Sequence, residues 1–394
     1  MEFYVAEWLN LLVRWLHVTA GIAWIGASFY FIWLDNNLEP SKSGNPRIHG
    51  ELWSVHGGGF YHNQKYLLGP ERLPDNLHWF KWEAYTTWLS GFALLVIVYW
   101  HGARTYLIDP GVADIGVPAA IAISAASMAL GWAVYDSLCR TRLVAHEFAF
   151  GVVCYALTVA VAWALGEVLS GRAAYLHVGA MWGTIMVANV LFVIIPGQRR
   201  VVAALRAGLP PDPLDGLRGK QRSVHNNYIT LPVLFIMVSN HYPMTYGHGH
   251  GWAVLAVIVM AGVLVRHFFN LRHKGRIVVA LPVAAAMLIA ALFFTMAPPP
   301  AATVAKGDVS FDQVRAVINE RCVACHAAKP SQQGITAPPA GVILETPAQL
   351  RRWSVKIHEQ AVLRRTMPAA NATGMSDEER GVLAAWVAAG APVE

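Results

Sequence analysis

The chain has 394 residues, 55% hydrophobic and only 14% charged. Soluble domains carry about 25% charged residues, so the composition argues against an ordinary soluble enzyme and against a disordered chain. The net charge of +6 does not point to nucleic acid: residues 307–394 balance nine Lys/Arg against nine Asp/Glu, and the basic excess lies between apolar runs in the first three quarters.

Crossing about 30 Å of hydrocarbon takes ~20 apolar residues. Eight runs qualify, at roughly 8–34, 83–101, 115–137, 148–168, 173–195, 228–246, 251–270 and 277–297. Continuous runs of this length mean helices, because only helices or closed barrels satisfy the backbone in lipid. The first span has no small-residue cleavage site after it and is expected to act as its own insertion signal. The loops at 35–82, 138–147, 196–227 and 266–276 hold 17 Lys/Arg, and those at 102–114, 169–172 and 247–250 hold two, Arg104 and Arg172. The basic set is therefore expected to face the cytoplasm and both termini the periplasm.

Polar residues within or beside the spans are functional candidates by default. In the first long loop stand His56, Gly57, Gly58, Gly59 and His62, and Lys81 and Glu83 lead into the second span. Glycines at 57–59 let a ligand approach the backbone closely, or simply make a turn. The sixth span opens with His225, Asn226, Asn227 and Tyr228. A further cluster gathers towards the other side: Arg14, His17, His101, His177, Asn240 and His241. Two of these histidines facing each other across a bundle would ligate a b-type haem; the alternative for each is a satisfied core histidine.

After the last span, Ala-Pro-Pro-Pro-Ala-Ala at 297–302 reads as a short stiff linker. The composition then turns soluble. Cys322-Val-Ala-Cys325-His326 is the c-type haem attachment pattern. Two thiols three residues apart on a helical turn reach the two vinyl groups, and the adjacent histidine becomes an axial ligand of the iron. A zinc site would need two more ligands at suitable spacing. Met367, 41 residues after His326 in a Thr-Met-Pro loop, is the expected second axial ligand; Met375 and His358 compete. Capping boxes at Ser310/Gln313, Thr346/Gln349 and Ser376/Glu379 mark helix starts, and Gly390 marks the last helix end. The expected architecture is all-α: an eight-helix transmembrane bundle over 1–297, a linker at 298–306, and a small class I cytochrome c domain over 307–394.

Three stretches are specific: Ser-Val-His-Gly-Gly-Gly-Phe-Tyr-His-Asn-Gln-Lys-Tyr at 54–66, Leu-His-Trp-Phe-Lys-Trp-Glu-Ala-Tyr-Thr-Thr-Trp-Leu at 77–89, and the sixth-span run from His225 to Pro243. Together they resemble the bacterial membrane-bound cytochrome c urate oxidases, over essentially the whole chain. The resemblance implies oxidation of urate to 5-hydroxyisourate at the inner membrane, with electrons leaving through one covalent haem c to a soluble cytochrome c or a cytochrome c oxidase and without hydrogen peroxide. It does not assign catalytic residues. From the residues themselves, Trp79, Trp82 and Tyr228 offer stacking faces and Asn226 and Asn227 offer amide edges. Lys81 offers charge, His56, His62 or Glu83 a base, and His225 stands beside the amides. Haem c would be held by Cys322, Cys325, His326 and Met367. The alternatives are a quinol-oxidising membrane cytochrome, or a purine transporter or sensor; the spans show no inverted repeat, which disfavours a transporter. A substrate on the cytoplasmic side would lie up to about 30 Å from a periplasmic haem. That distance requires a relay or a substrate site deeper in the bundle.

Overall fold

The structure, a computed structural model, describes residues 2–297 except Leu68, and 309–393 except Gln333, Gly334 and Thr336. The linker expected at 298–306 lies outside them, apart from its approach at Ala297.

Helices dominate. They run in chain order as α1 (Glu2–Asn36), α2 (Trp82–Leu94) continuing as a π-turn (Leu95–Trp100), the short α3 (Ala103–Tyr106), α4 (Val117–Cys139) and α5 (Glu147–Gly166). Next come α6 (Gly171–Ala188), a second π-turn (Asn189–Ile194), α7 (Ile195–Arg206), α8 (Pro213–Ser239), the short α9 (Pro243–Tyr246), α10 (Gly251–His273) and α11 (Ala280–Thr295). Among the described residues, five stretches are long and apolar enough to cross a membrane: Tyr4–Asn36, Val117–Cys139, Glu147–Gly166, Gly171–Arg206 and Gly251–His273. The other three long helices stand where spans are expected, but α8 begins with a charged stretch and α11 is only 16 residues long. Trp15, Phe148, Phe293 and Phe294 are exposed on the outside of this assembly. A soluble surface avoids such contiguous apolar area, and these features are compatible with a membrane protein.

The sixth helix differs most from expectation. The apolar run predicts it at 228–246, and it occupies Pro213–Ser239. Asp212 caps it by accepting from the Leu214 N–H at 2.9 Å, with Pro213 at the first helical position. At its other end the chain turns at Asn240 before Pro243 starts a separate short helix.

Helix α6 is the axis of the bundle. Most of its residues are buried all round, as expected of a helix apolar on every face. Its neighbours α4 and α8 come close through glycine: a Cβ at Gly131 would run into Met181, and one at Gly179 into Ile236. Helix α1 packs chiefly on α2, and α11 on α10.

Residues 35–82, read as a loop, contain a hairpin instead. Strand β1 (Ile48–His56) pairs antiparallel with β2 (Gly59–Tyr66), and His56 opposes Gly59 across a two-residue turn. Gly57 and Gly58 adopt φ of 58° and 81°, the positive values that a type I′ turn requires and glycine supplies without strain. Alternation in Leu52-Trp53-Ser54-Val55 ahead of Gly-Gly was a readable hairpin signal.

The C-terminal residues form a separate apolar cluster around Val314, Ile318, Leu350, Leu383 and Trp386. Helices α12 (Phe311–Arg321), α13 (Val323–His326), α14 (Pro347–Ile357) and α15 (Asp377–Ala388) surround it. All three expected capping boxes form, at Ser310, Thr346 and Ser376.

Candidate active site

The six residues proposed from sequence for the substrate site fall into three groups. His56 sits at the hairpin tip, and His62 stacks on Trp53 (4.3 Å, 7°) while its Nε2 lies 3.2 Å from Glu51 Oε2. Lys81 precedes α2 with its ammonium 5.7 Å from the centre of the Trp82 ring, and Glu83 lies in the first turn of that helix. His225 and Asn226 are inside the bundle. Among the described residues no hydrogen bond or ion pair joins the three groups. Gly57 and Gly58 form the exposed turn, where a Cβ would meet nothing within 4 Å, and Gly59 opens β2.

His225 and Asn226 belong to a closed polar network between α4, α6 and α8. Arg222 donates to Asp136 Oδ1 at 2.6 Å and to Asn189 Oδ1 at 3.0 Å. Asn189 donates to Asn226 Oδ1 at 2.8 Å and to the Tyr135 hydroxyl at 3.2 Å. Asn226 in turn donates to the Met186 carbonyl at 3.0 Å, and the Tyr135 hydroxyl lies 2.7 Å from His225 Nδ1. The imidazole stacks on Phe150 at 4.8 Å. Nearly every polar atom here has a protein partner, which is what burial demands. Asn189 opens the second π-turn, and such turns often mark functional positions.

A different environment lies at the opposite end. Helices α1, α2, α6 and α8 enclose a cavity of about 460 Å³, within the range of small-molecule sites. Its walls are aromatic and small: Trp24, Trp88 and Tyr99 alternate with Gly21, Gly91 and Gly183. Four basic side chains line it, Arg14, His17, Arg172 and His241, and among the described residues no carboxylate does. His17 donates from Nδ1 to the Thr87 carbonyl at 2.9 Å, which leaves Nε2 as an acceptor. The ring rests over Gly91, where any Cβ would displace it. Trp88 Nε1 donates to Thr184 Oγ1 at 3.0 Å, and its ring stacks on Phe92. His177, another histidine of this cluster, is fully buried and spends both ring nitrogens on protein, Nε2 at 2.6 Å from Ser124 Oγ and Nδ1 at 2.7 Å from the Ala173 carbonyl.

A second cavity of about 560 Å³ separates this end of the bundle from the C-terminal residues. Asp109, Glu167 and His248 line one side, and Arg365, Met367 and Arg380 the other. Arg172 and Asn240 border both cavities. Their contact, Arg172 Nε to Asn240 Oδ1 at 3.1 Å, is the partition between the two, with the Tyr99 hydroxyl donating to the same oxygen at 3.4 Å. Burial pushes the Asp109 carboxyl above its ordinary value, and the Gly111 N–H and the Arg380 guanidinium oppose that shift.

The matching family model is urate oxidase N-terminal, over residues 3–297. The chain belongs to this family. No curated protein and no solved structure matches the chain. Membership gives the protein a urate-related function, and its family region covers the whole helical assembly, including the first cavity and the closed network. It stops before the C-terminal cluster.

The family region does not reach the C-x-x-C-H residues, so their fit to a haem rests on geometry. Cys322 caps α12, and Cys325 and His326 lie on α13. Burial pushes the Cys322 thiol up to about 12 and the Cys325 thiol in the same direction. His326 Nδ1 is 3.0 Å from the Val342 carbonyl. Donation to that carbonyl fixes the tautomer with the Nε2 lone pair available, the arrangement an axial histidine needs. Of the two methionines, Met375 is buried in the cluster with its N–H on Asn371 Oδ1 at 3.0 Å, whereas Met367 packs at the cluster's margin.

Sequence reasoning singled out Arg14, His17, Asn240 and His241 but passed over Arg172, Trp88 and Tyr99. Arg172 was counted only as a loop charge. A lone arginine between two long apolar runs was the signal that marked it.

Proposed function

We propose that this protein oxidises urate to 5-hydroxyisourate in the cavity between α1, α2, α6 and α8, and passes the electrons to a haem c held by Cys322, Cys325, His326 and Met367. The observation that carries the reading is the lining of that cavity, aromatic, basic and free of carboxylates, in a chain whose family is named for urate. Urate is a planar, electron-rich monoanion. Trp88 and Tyr99 offer faces, the Asn240 amide an edge, and Arg14 and Arg172 positive charge.

The reaction balances as urate monoanion plus water giving 5-hydroxyisourate, one proton and two electrons. When bound, haem c accepts one electron at a time and so supports two successive one-electron oxidations. His17 is the group placed to take the proton, since its Nδ1 is engaged by the Thr87 carbonyl and its Nε2 is left as an acceptor facing the cavity. A site here shortens the electron path relative to one at the hairpin or beside His225, because Arg172 and Asn240 border both this cavity and the one lined by Met367 and Arg380.

Placement of the C-terminal region in the periplasm of a bacterial inner membrane is supported by two features. The C-x-x-C-H pattern is matured outside the cytoplasm in cytochromes c. The loops poor in Lys and Arg, around Asp109, Glu167 and His248, border the same cavity as Met367 and Arg380. A soluble cytochrome c or a cytochrome c oxidase there would take the electrons.

The test is an anaerobic visible spectrum of the detergent-purified full chain, oxidised with ferricyanide and mixed with urate. A c-type α-band that grows with urate, with no peroxide formed in air, is the expected result. Reduction by a quinol analogue with none by urate would overturn the reading.

A further inference from the structure

The first cavity contains two arginines, and their surroundings differ. Arg14 is exposed on α1 and is held by its own helix, with Nη2 donating to Asn10 Oδ1 at 2.8 Å. Arg172 stands at the start of α6 with its guanidinium 5.9 Å from the centre of the Tyr99 ring and 5.4 Å from that of Tyr106. Its Nε donates to Asn240 Oδ1, the Tyr99 hydroxyl is a second hydrogen-bond partner, and among the described residues it forms no ion pair with a carboxylate. Asp109 and Glu167 border the second cavity only. A guanidinium carries five N–H donors, and a half-buried one with only an amide and a hydroxyl as partners has donors to spare. Arginine in this state favours a planar anion, which it meets with two parallel hydrogen bonds. The two tyrosine rings restrict its side chain, so little rotamer freedom is lost when the anion arrives.

We infer that Arg172 is the residue that takes the charge of the substrate anion, and that by doing so it holds the purine against the Arg172–Asn240 partition, at the wall nearest the C-terminal residues. This rests on the proposed function and deepens it. Asn240 is then a positioning residue: its Oδ1 accepts from both Arg172 and Tyr99 and sets the direction of the guanidinium. The basic lining elsewhere in the cavity raises the local anion concentration, but only Arg172 touches the partition.

The test is equilibrium binding by calorimetry with the full chain, its haem reduced by dithionite so that urate is not turned over. Arg172→Gln should raise the Kd for urate by at least about tenfold, as expected for truncating one partner of a partly buried charge pair. Arg172→Lys should recover part of the loss, because it restores charge but not the planar fork. Binding of a neutral methylated xanthine should change by less than about threefold in both variants, a selectivity that a merely structural arginine would not show. An unchanged urate Kd in Arg172→Gln, with the wild-type chain still reduced by urate, would overturn this inference and leave the proposed function standing. Equal losses for the neutral and anionic ligands would also overturn it. A wild-type chain that urate neither binds nor reduces would instead overturn the proposed function.

Discussion

Two arginines lie at opposite ends of the bundle and behave differently, Arg222 buried and Arg172 half-buried. Arg222 is paired with Asp136, bonded to Asn189, and sits over the rings of Trp132 and Tyr135. Its neighbours are satisfied in turn, down to His225 and Asn226. Arg172 also sits over two aromatic rings, yet it has one amide partner and borders two cavities. Burial of polar residues is therefore not by itself the mark of a site in this molecule. The first set spends its hydrogen bonds on the fold, and the second keeps donors for a ligand.

The sharpest break in that comparison is at the C-terminal end. The double variant Cys322→Ala, Cys325→Ala should carry no covalently attached haem on a denaturing, haem-stained gel, and urate-driven electron transfer should vanish with it; staining that persists would mean the group is attached elsewhere. Next in size is Arg222→Gln. The change strips the buried guanidinium from Asp136, which keeps Arg140 as a partner at 2.7 Å, so the thermal midpoint in detergent should fall by a few degrees while the urate Kd stays within about twofold. A Kd loss as large as that of Arg172→Gln would erase the distinction between the two ends. Gly183 faces open space in the cavity, where a Cβ would meet nothing within 4 Å. Gly183→Leu should fill the space, raise the KM for urate at least about tenfold, and leave stability equal or higher, since glycine is a poor helix former. The smallest effect concerns Asp109, whose carboxyl is pushed up by burial. A carboxyl raised in the folded state loses stability as pH rises through its folded value. Asp109→Asn should therefore raise the thermal midpoint at neutral pH, and the gain should disappear below about pH 3, where the aspartate is protonated in both states; a gain that grows on acidification would refute this.

Much of the fold was legible in the sequence. The long apolar runs became helices, and the three capping boxes formed because a hydroxyl and an amide or carboxylate three residues apart satisfy each other's backbone locally. The hairpin at 48–66 was hidden by the glycines, which invited a ligand-binding reading when they were making a turn. The site was harder to read. His56, Lys81 and His225 are close in chemistry but lie on a hairpin, at a helix start and in a bundle interior. Nothing in the sequence states that distance. Arg172 and Asn240 are 68 positions apart and meet only because α6 begins where α8 ends, a consequence of packing through Gly179. The sequence had raised a site deeper in the bundle as the alternative to a relay, and the cavity lies there.

The most direct measurement is an experimental structure of the full chain in lipid nanodiscs, reduced with dithionite and saturated with urate. Density for a planar bicyclic ligand between Trp88, His17 and Arg172, with the guanidinium turned towards it, is the predicted result. A ligand at the hairpin, beside Lys81, or against His225 and Asn226, with the cavity empty, would contradict the account.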